Sequence, residues 1–196
     1  MQTKTLAFII IVINTIMICF LTVWSLQDRR ALQSMSSDIK ELKRAVELEI
    51  KFREEILPHI KKSANLLSKY NPELDHPTAL SLAAKIYQCS DEYAPFDILT
   101  ALIVVESNAD HKAVSSRGAL GLTQVVPTIW EEYSPEELLD PYKNIEAGAA
   151  ILKWYTSRYG LIGGLRAYNS GPQYLRRSET SALFAQKIMT IAREHF

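Results

Sequence analysis

Cysteine is scarce. Cys19 and Cys89 are the only two in 196 residues, and Cys19 lies inside an apolar run. That excludes a disulfide framework and a cysteine-rich zinc site. Histidine helps no further: His59, His76, His111 and His195 are scattered, with no His-x-x-x-His pair, so the expectation is no metal and no cofactor. An excess of charge of either sign is also missing. Lys+Arg and Asp+Glu both number 22, which leaves no basic field for nucleic acid. No alternating apolar–polar stretch of useful length is present, which argues against a sheet-built fold. What remains is a chain with 47% apolar and 22% charged residues, enough for one globular domain with additions.

The charges are unevenly placed. Thr5 to Gln27 carries none, and residues 5–24 are mostly Ile, Leu, Val, Phe and Met. A bilayer core needs about 20 apolar residues at helical rise. The run exceeds the apolar core of a cleaved signal peptide, and Val23-Trp24-Ser25 is a weak cleavage site. Residues 1–27 are therefore expected to form a single transmembrane anchor, with Trp24 at the interface. Residues 28–77 form an expected helical stalk. Residues 28–56 lack Gly and Pro, and Leu32, Met35, Ile39, Leu42 and Val46 recur at spacings of 3 and 4, a short heptad-like stripe that allows self-association. Pro58 interrupts it, and Asn71-Pro-Glu-Leu-Asp-His-Pro77 marks the expected boundary. Residues 78–196 then read as a mainly α domain, with helices over Thr78–Gln88, Pro95–Ser107, Asn144–Tyr159 (closed by Gly160), Leu161–Tyr168 and Thr180–His195.

The most informative residue is Glu106. Leu99, Leu102, Ile103 and Glu106 fall on one helical stripe, so a carboxylate stands in line with the core face. It also sits in the last helical turn, at the negative end of the dipole. Burial and dipole both disfavour its charged form and raise its pKa. A carboxylic acid kept protonated near neutral pH is what general-acid cleavage of a glycoside needs. The following loop holds Gly118 and Gly121 among small polar residues, and Ser107, Ser115, Ser116 and Gln124 offer neutral donors and acceptors for a hydroxylated ligand. Gly118-Ala-Leu-Gly121 alone matches a KH-type loop, but the flanking basic residues and sheet are missing.

Taken in order, Glu106-Ser107, Gly118-Ala-Leu-Gly-Leu-Thr-Gln124, Asn144-Ile145 with Gly148, and Ala167-Tyr168-Asn169-Ser-Gly171-Pro172 resemble the motifs of soluble lytic transglycosylase (SLT-type) domains. These form the goose-lysozyme-like branch of the lysozyme superfamily, and the resemblance covers about residues 79–196. It implies a lysozyme-like α-rich fold with a groove for peptidoglycan glycan strands. Glu106 matches the single catalytic acid/base, and Ser107 the residue that supports it. Ser115, Gln124, Tyr168 and Asn169 match positions that line the groove. Asn144 opens the Asn-Ile helix and is expected to cap it. Two departures stand out. Thr123 replaces the usual Met, with the expectation of a smaller, more polar groove wall. Phe184 stands where the family has a Tyr.

The implied reaction is cleavage of the β-1,4 bond between N-acetylmuramic acid and N-acetylglucosamine, closing a 1,6-anhydro ring. A two-carboxylate hydrolase would need a second acid, for which Asp97 is on the far side of the helix and Asp110 lies in the loop. The alternatives are a muramidase acting on the same bond, a silent glycan-binding domain on a membrane stalk, and a purely structural coiled-coil protein. Because the implied substrate lies outside the cytoplasmic membrane, the domain is expected on the periplasmic face, or in a virion membrane if phage-encoded. Arg29, Arg30, Lys40, Lys43 and Arg44 after the apolar run favour the opposite orientation; the chemistry overrides them.

Overall fold

The computed structural model describes residues 2–174 and 178–196; for residues 2–11, 27, 31, 32 and 174 it describes backbone alone. The chain divides into two compact units, Met1–Glu54 and Glu55–Phe196.

The first unit is helix α1, Gln2–Lys51. Leu, Ala, Glu, Lys and Arg dominate its second half, and each keeps its side-chain freedom in a helix. The stripe expected from the sequence is exposed: Met35 59%, Ile39 51%, Leu42 65% and Val46 48%. Leu32, the first member of that stripe, lies outside the described side chains. Among the described residues no helix is long and apolar enough to cross a membrane. The anchor expected over residues 1–27 therefore finds no support there. Of the run expected to form it, residues 1–11 and 27 lie outside the described side chains.

A π-helical turn, Phe52–Ile56, precedes helix α2, Leu57–Tyr70. Pro58 has no N–H to return to the preceding turn, so regular α-helical bonding cannot run through it. The sequence reading placed α2 in the stalk, with the domain starting at residue 78. The structure corrects this boundary. Ile60, Ser63, Ala64, Leu66 and Leu67 of α2 are buried, and Ser63 Oγ pairs with Thr100 Oγ1 at 2.9 Å inside the core. The expected linker at 71–77 is a tight turn between packed helices. Asn71 caps α2, and Asp75 caps helix α3, His76–Cys89, by accepting from the Thr78 N–H.

Helix α4, Phe96–Ser107, runs through the middle of this unit. Ile98 to Val104 are all buried, because α2, α3 and the C-terminal helix surround it. Helix α5, Pro135–Leu139, is short and opened by a Ser134/Glu137 capping box. Helix α6, Pro141–Ser170, bends at Gly160, whose φ of 67° is open to glycine at little cost. The sequence reading ended a helix there and started another, and the φ value marks the same point. Helix α7, Glu179–His195, completes the core. A second, smaller apolar cluster of Val125, Leu138, Ala147, Ile151, Tyr155 and Ala167 lies beside it. The loop from 108 to 134 is organised by two isolated antiparallel bridges, Val114 with Leu120 and Leu120 with Val125. The unit is mainly helical, as the sequence pattern indicates.

Candidate active site

A cavity of about 580 Å³ opens between the 115–130 loop and the second half of α6. Glu106 reaches it from the last turn of α4. Among the described residues lining this cavity it is the one carboxylate, and it has no hydrogen-bond or ion-pair partner. Burial pushes its carboxyl up from 4.5 to about 8. The cause is loss of water around the charged form, with no compensating donor. Asp97 and Asp110 do not line the cavity. Each carboxylate accepts from a nearby backbone N–H instead, Asp97 from Ile98 and Asp110 from Lys112.

Tyr168 stands on the α6 side of the cavity. Its hydroxyl donates to the Thr123 carbonyl at 2.8 Å, and burial, followed by the nearby Glu106 charge, holds its pKa above the ordinary phenol value. It stays protonated and ties α6 to the loop. Asn169 is exposed at the cavity wall. On the loop side, Ser115 Oγ accepts from the backbone N–H groups of Arg117 and Ala119, at 3.2 and 3.0 Å. Its acceptor capacity is used in shaping the turn, so its hydroxyl hydrogen is what it offers a ligand. Gln124 adopts a φ of 52°, and its Nε2 donates to the carbonyls of Ala113 and Gly121 at 3.2 and 2.9 Å. That fixes the amide at the cavity edge.

An acid held neutral in a groove lined by amide, hydroxyl and aromatic groups is suited to protonating a leaving oxygen on a neutral, hydroxylated ligand. The Transglycosylase SLT domain matches residues 83–189. The chain belongs to that family. A curated relative, "Transglycosylase" of Enterobacteria phage PRD1, is 28% identical over 93 residues, which are 47% of this chain and 35% of that protein. The chain thus matches about a third of the length of that relative. Among solved structures, an X-ray structure of an inactive Glu-to-Gln mutant of the lytic transglycosylase Slt from Pseudomonas aeruginosa superposes with a TM-score of 0.52 at 21% identity. The match covers 57% of this chain and 23% of that one. It shows the fold shared by this SLT domain.

Within the SLT domain the structure brings Glu106, Ser115, Gln124, Tyr168 and Asn169 to one cavity. It does not bring Ser107. That side chain is buried, and its hydroxyl lies 2.8 Å from the Leu122 carbonyl and 3.1 Å from the Ile103 carbonyl. Successive helix residues diverge by about 100°, so Ser107 faces away from Glu106 and anchors the helix end to the glycine loop. Asn144 is not the cap of α6; Asp140 is, accepting from the N–H groups of Tyr142 and Lys143. Asn144 is fully buried and bridges three segments. Its Nδ2 donates to the carbonyls of Leu120 and Leu138, and its Oδ1 accepts from Thr123 N and Oγ1. Thr123 correspondingly is no groove wall: its side chain is buried against Asn144 and Gly148. A Cβ at Gly148 would come within 2.5 Å of Thr123, which explains glycine at that turn of α6. Phe184 packs on the main core.

Sequence reasoning missed Arg117, Ile129, Trp130, Ile151 and Tyr155, which also line the cavity. Ile151 and Tyr155 carried a signal, lying four apart on one face of α6. Trp130 meets the rings of Trp154 and Tyr155 edge-on, each with centroids 5.9 Å apart. Nothing in the local pattern around residue 130 announces that partnership.

Proposed function

We propose that this protein is a peptidoglycan lytic transglycosylase in which Glu106 acts first as general acid and then as general base. The observation that carries the reading is the lone Glu106 carboxyl, held neutral by burial on the wall of a polar and aromatic groove. Protonated Glu106 donates to the oxygen joining N-acetylmuramic acid to N-acetylglucosamine. As the C1–O bond breaks, the carbonyl oxygen of the muramic N-acetyl group bonds to C1 and takes up the developing positive charge. The C6 hydroxyl then attacks C1, releases the N-acetyl oxygen and gives its proton to the Glu106 carboxylate. The acid is regenerated, a 1,6-anhydro ring closes, and no water is consumed. One carboxyl suffices for both proton transfers, whereas a hydrolase of the usual kind needs a second acid beside the first. Ser115, Gln124, Tyr168 and Asn169 are assigned to glycan binding.

The test is incubation of the full-length protein with purified peptidoglycan, with mass analysis of the released fragments. Anhydro-muramic ends, lighter by one water than reducing ends, are the expected product. Reducing ends would make the protein a muramidase, and binding without cleavage would make it a glycan-binding module. Because the acid must be protonated at the first step and its pKa is about 8, kcat/KM should fall as pH rises through about 8. A pH–rate profile that is flat from 6 to 9.5 would separate the activity from Glu106.

The same reading places the domain outside the cytoplasmic membrane, where peptidoglycan lies, with residues 1–27 as the anchor and the exposed α1 stripe as a surface for self-association. The uncharged run from Thr5 to Gln27 supports the anchor. Full-length protein should then resist extraction by alkaline carbonate and yield only to detergent, since burial of about 20 apolar residues is effectively irreversible. Release by carbonate would remove the anchor from the proposal and leave the catalytic reading untouched.

A further inference from the structure

The backbone just after Glu106 is unusual. Asn108 and Ala109 both take positive φ, 52° and 61°, and Ala109 is a fully buried residue with a Cβ. Two successive left-handed residues, one of them alanine, hold only where surrounding contacts impose them. The turn is closed by the Asp110 N–H, which donates to the Ser107 carbonyl at 3.1 Å. A second contact comes from the family's own loop, the bond of Ser107 Oγ to the Leu122 carbonyl. A third comes from outside residues 83–189. Asn71, which ends α2, donates from Nδ2 to the Ala109 carbonyl at 3.1 Å.

The amide of Asn71 is oriented by its own network. Its Oδ1 accepts from the Glu73 N–H at 3.1 Å, which leaves Nδ2 for Ala109. Its backbone N–H bonds the Leu67 carbonyl and its carbonyl accepts from Leu74, at 2.9 and 3.1 Å. Asn71 is therefore held on every polar group, and it stands on a helix whose other face is locked into the core through Leu66, Leu67 and the Ser63–Thr100 pair. The end of α4 is clamped from two sides, one clamp from the glycine loop and one from α2.

We propose that Asn71 is a positioning residue for Glu106. By pinning the left-handed Ala109 turn, it fixes the last turn of α4 and so the direction in which the carboxyl enters the groove. The proposal rests on the functional reading above. It also implies that the catalytic unit starts at α2, before the family match at residue 83 begins.

Two variants of the full-length protein test it. Asn71→Ala removes both side-chain bonds. Asn71→Asp keeps the acceptor for Glu73 and loses only the donor to Ala109. Both should lower kcat about 10- to 100-fold with KM within about twofold, because a misplaced acid harms the reacting geometry and not the glycan contacts. In Asn71→Ala the Glu106 carboxyl, followed by its carbon NMR shift, should titrate below its value in the parent protein, since a loosened turn admits water. An Asn71→Asp protein with parental kcat would overturn the proposal. So would an Asn71→Ala protein whose loss of rate equals its loss of folded fraction while the Glu106 titration stays in place. If the parent chain yields no cleaved glycan, the functional reading fails by itself, and the Glu106 titration in the two variants still decides whether Asn71 positions it.

Discussion

Glu106→Gln should give a protein that is folded, inactive and more stable than the parent at alkaline pH. The amide matches the carboxyl in size but carries no proton to give. General-acid catalysis supplies about 10²–10⁴-fold, and here one group serves two steps, so cleavage should fall at least to the upper part of that range. The stability effect follows from linkage. Burial pushes the carboxyl from the ordinary 4.5 of an unfolded chain up to about 8 in the fold. Between those values the folded state binds more protons than the unfolded state, so stability is fully present below about 4.5 and is lost as pH rises to about 8. Each pKa unit is worth about 1.4 kcal/mol. After allowance for solvent in the groove, Gln should be the more stable by roughly 2–4 kcal/mol at pH 8 and nearly equal to Glu at pH 4. Thermal melts at the two pH values, run beside the peptidoglycan assay, test both halves. A Gln variant that cleaves glycan at near-parental rate would sink the mechanism. One that is inactive and also less stable at pH 8 would mean that the carboxylate is satisfied rather than stranded in the fold.

That Glu106 could be found from the sequence has a physical basis. An acid in register with Leu99, Leu102 and Ile103 breaks a local pattern, and local patterns are what a sequence displays. The glycine loop was legible for the same reason, since Gly118 and Gly121 both adopt positive φ in the structure. The contacts that assemble the site are different. Helix α2 looked like stalk because Pro58 and the Asn71–Pro77 stretch are strong local breakers, while its membership of the core depends on Ile60, Ala64 and Leu67 meeting helices far along the chain. Ser107 was assigned to the groove by its neighbour in sequence, although adjacent helix positions point apart. Trp130 could not be paired with Trp154 and Tyr155 by any period. Asn144 looked like a cap because Asn before an apolar run commonly is one, but Pro141 and Asp140 start the helix three residues earlier.

The burial of Asn144 leads to the second large effect. Its four side-chain bonds reach Leu120, Leu138 and Thr123, and all run 2.7–2.9 Å. These partners belong to the glycine loop, the end of α5 and the residue whose carbonyl receives Tyr168. Asn144→Ala leaves the Leu138 carbonyl and the Thr123 N–H in a buried site without their partner, whereas the Leu120 carbonyl keeps the Val125 N–H and the Thr123 hydroxyl keeps the backbone carbonyl of residue 144. An unsatisfied buried group costs about 1–3 kcal/mol, and relaxation or an entering water recovers part of the sum over the two, so a loss of about 2–4 kcal/mol is expected. In the Glu55–Phe196 unit that corresponds to a fall in Tm of roughly 4–16 °C. Asn144→Asp separates the contributions. It keeps the acceptor for Thr123 and loses both donors, placing a carboxylate oxygen against the Leu120 and Leu138 carbonyls. If the bridge organises the groove, each variant should lose glycan affinity before it loses helix content, because Thr123 holds Tyr168 and the 120–125 turn carries Gln124. Circular dichroism melts and binding of N-acetylglucosamine oligomers to Glu106→Gln proteins carrying each change give the two readings. Parental melting and parental affinity in Asn144→Ala would show that the loop, α5 and α6 hold the groove without the bridge.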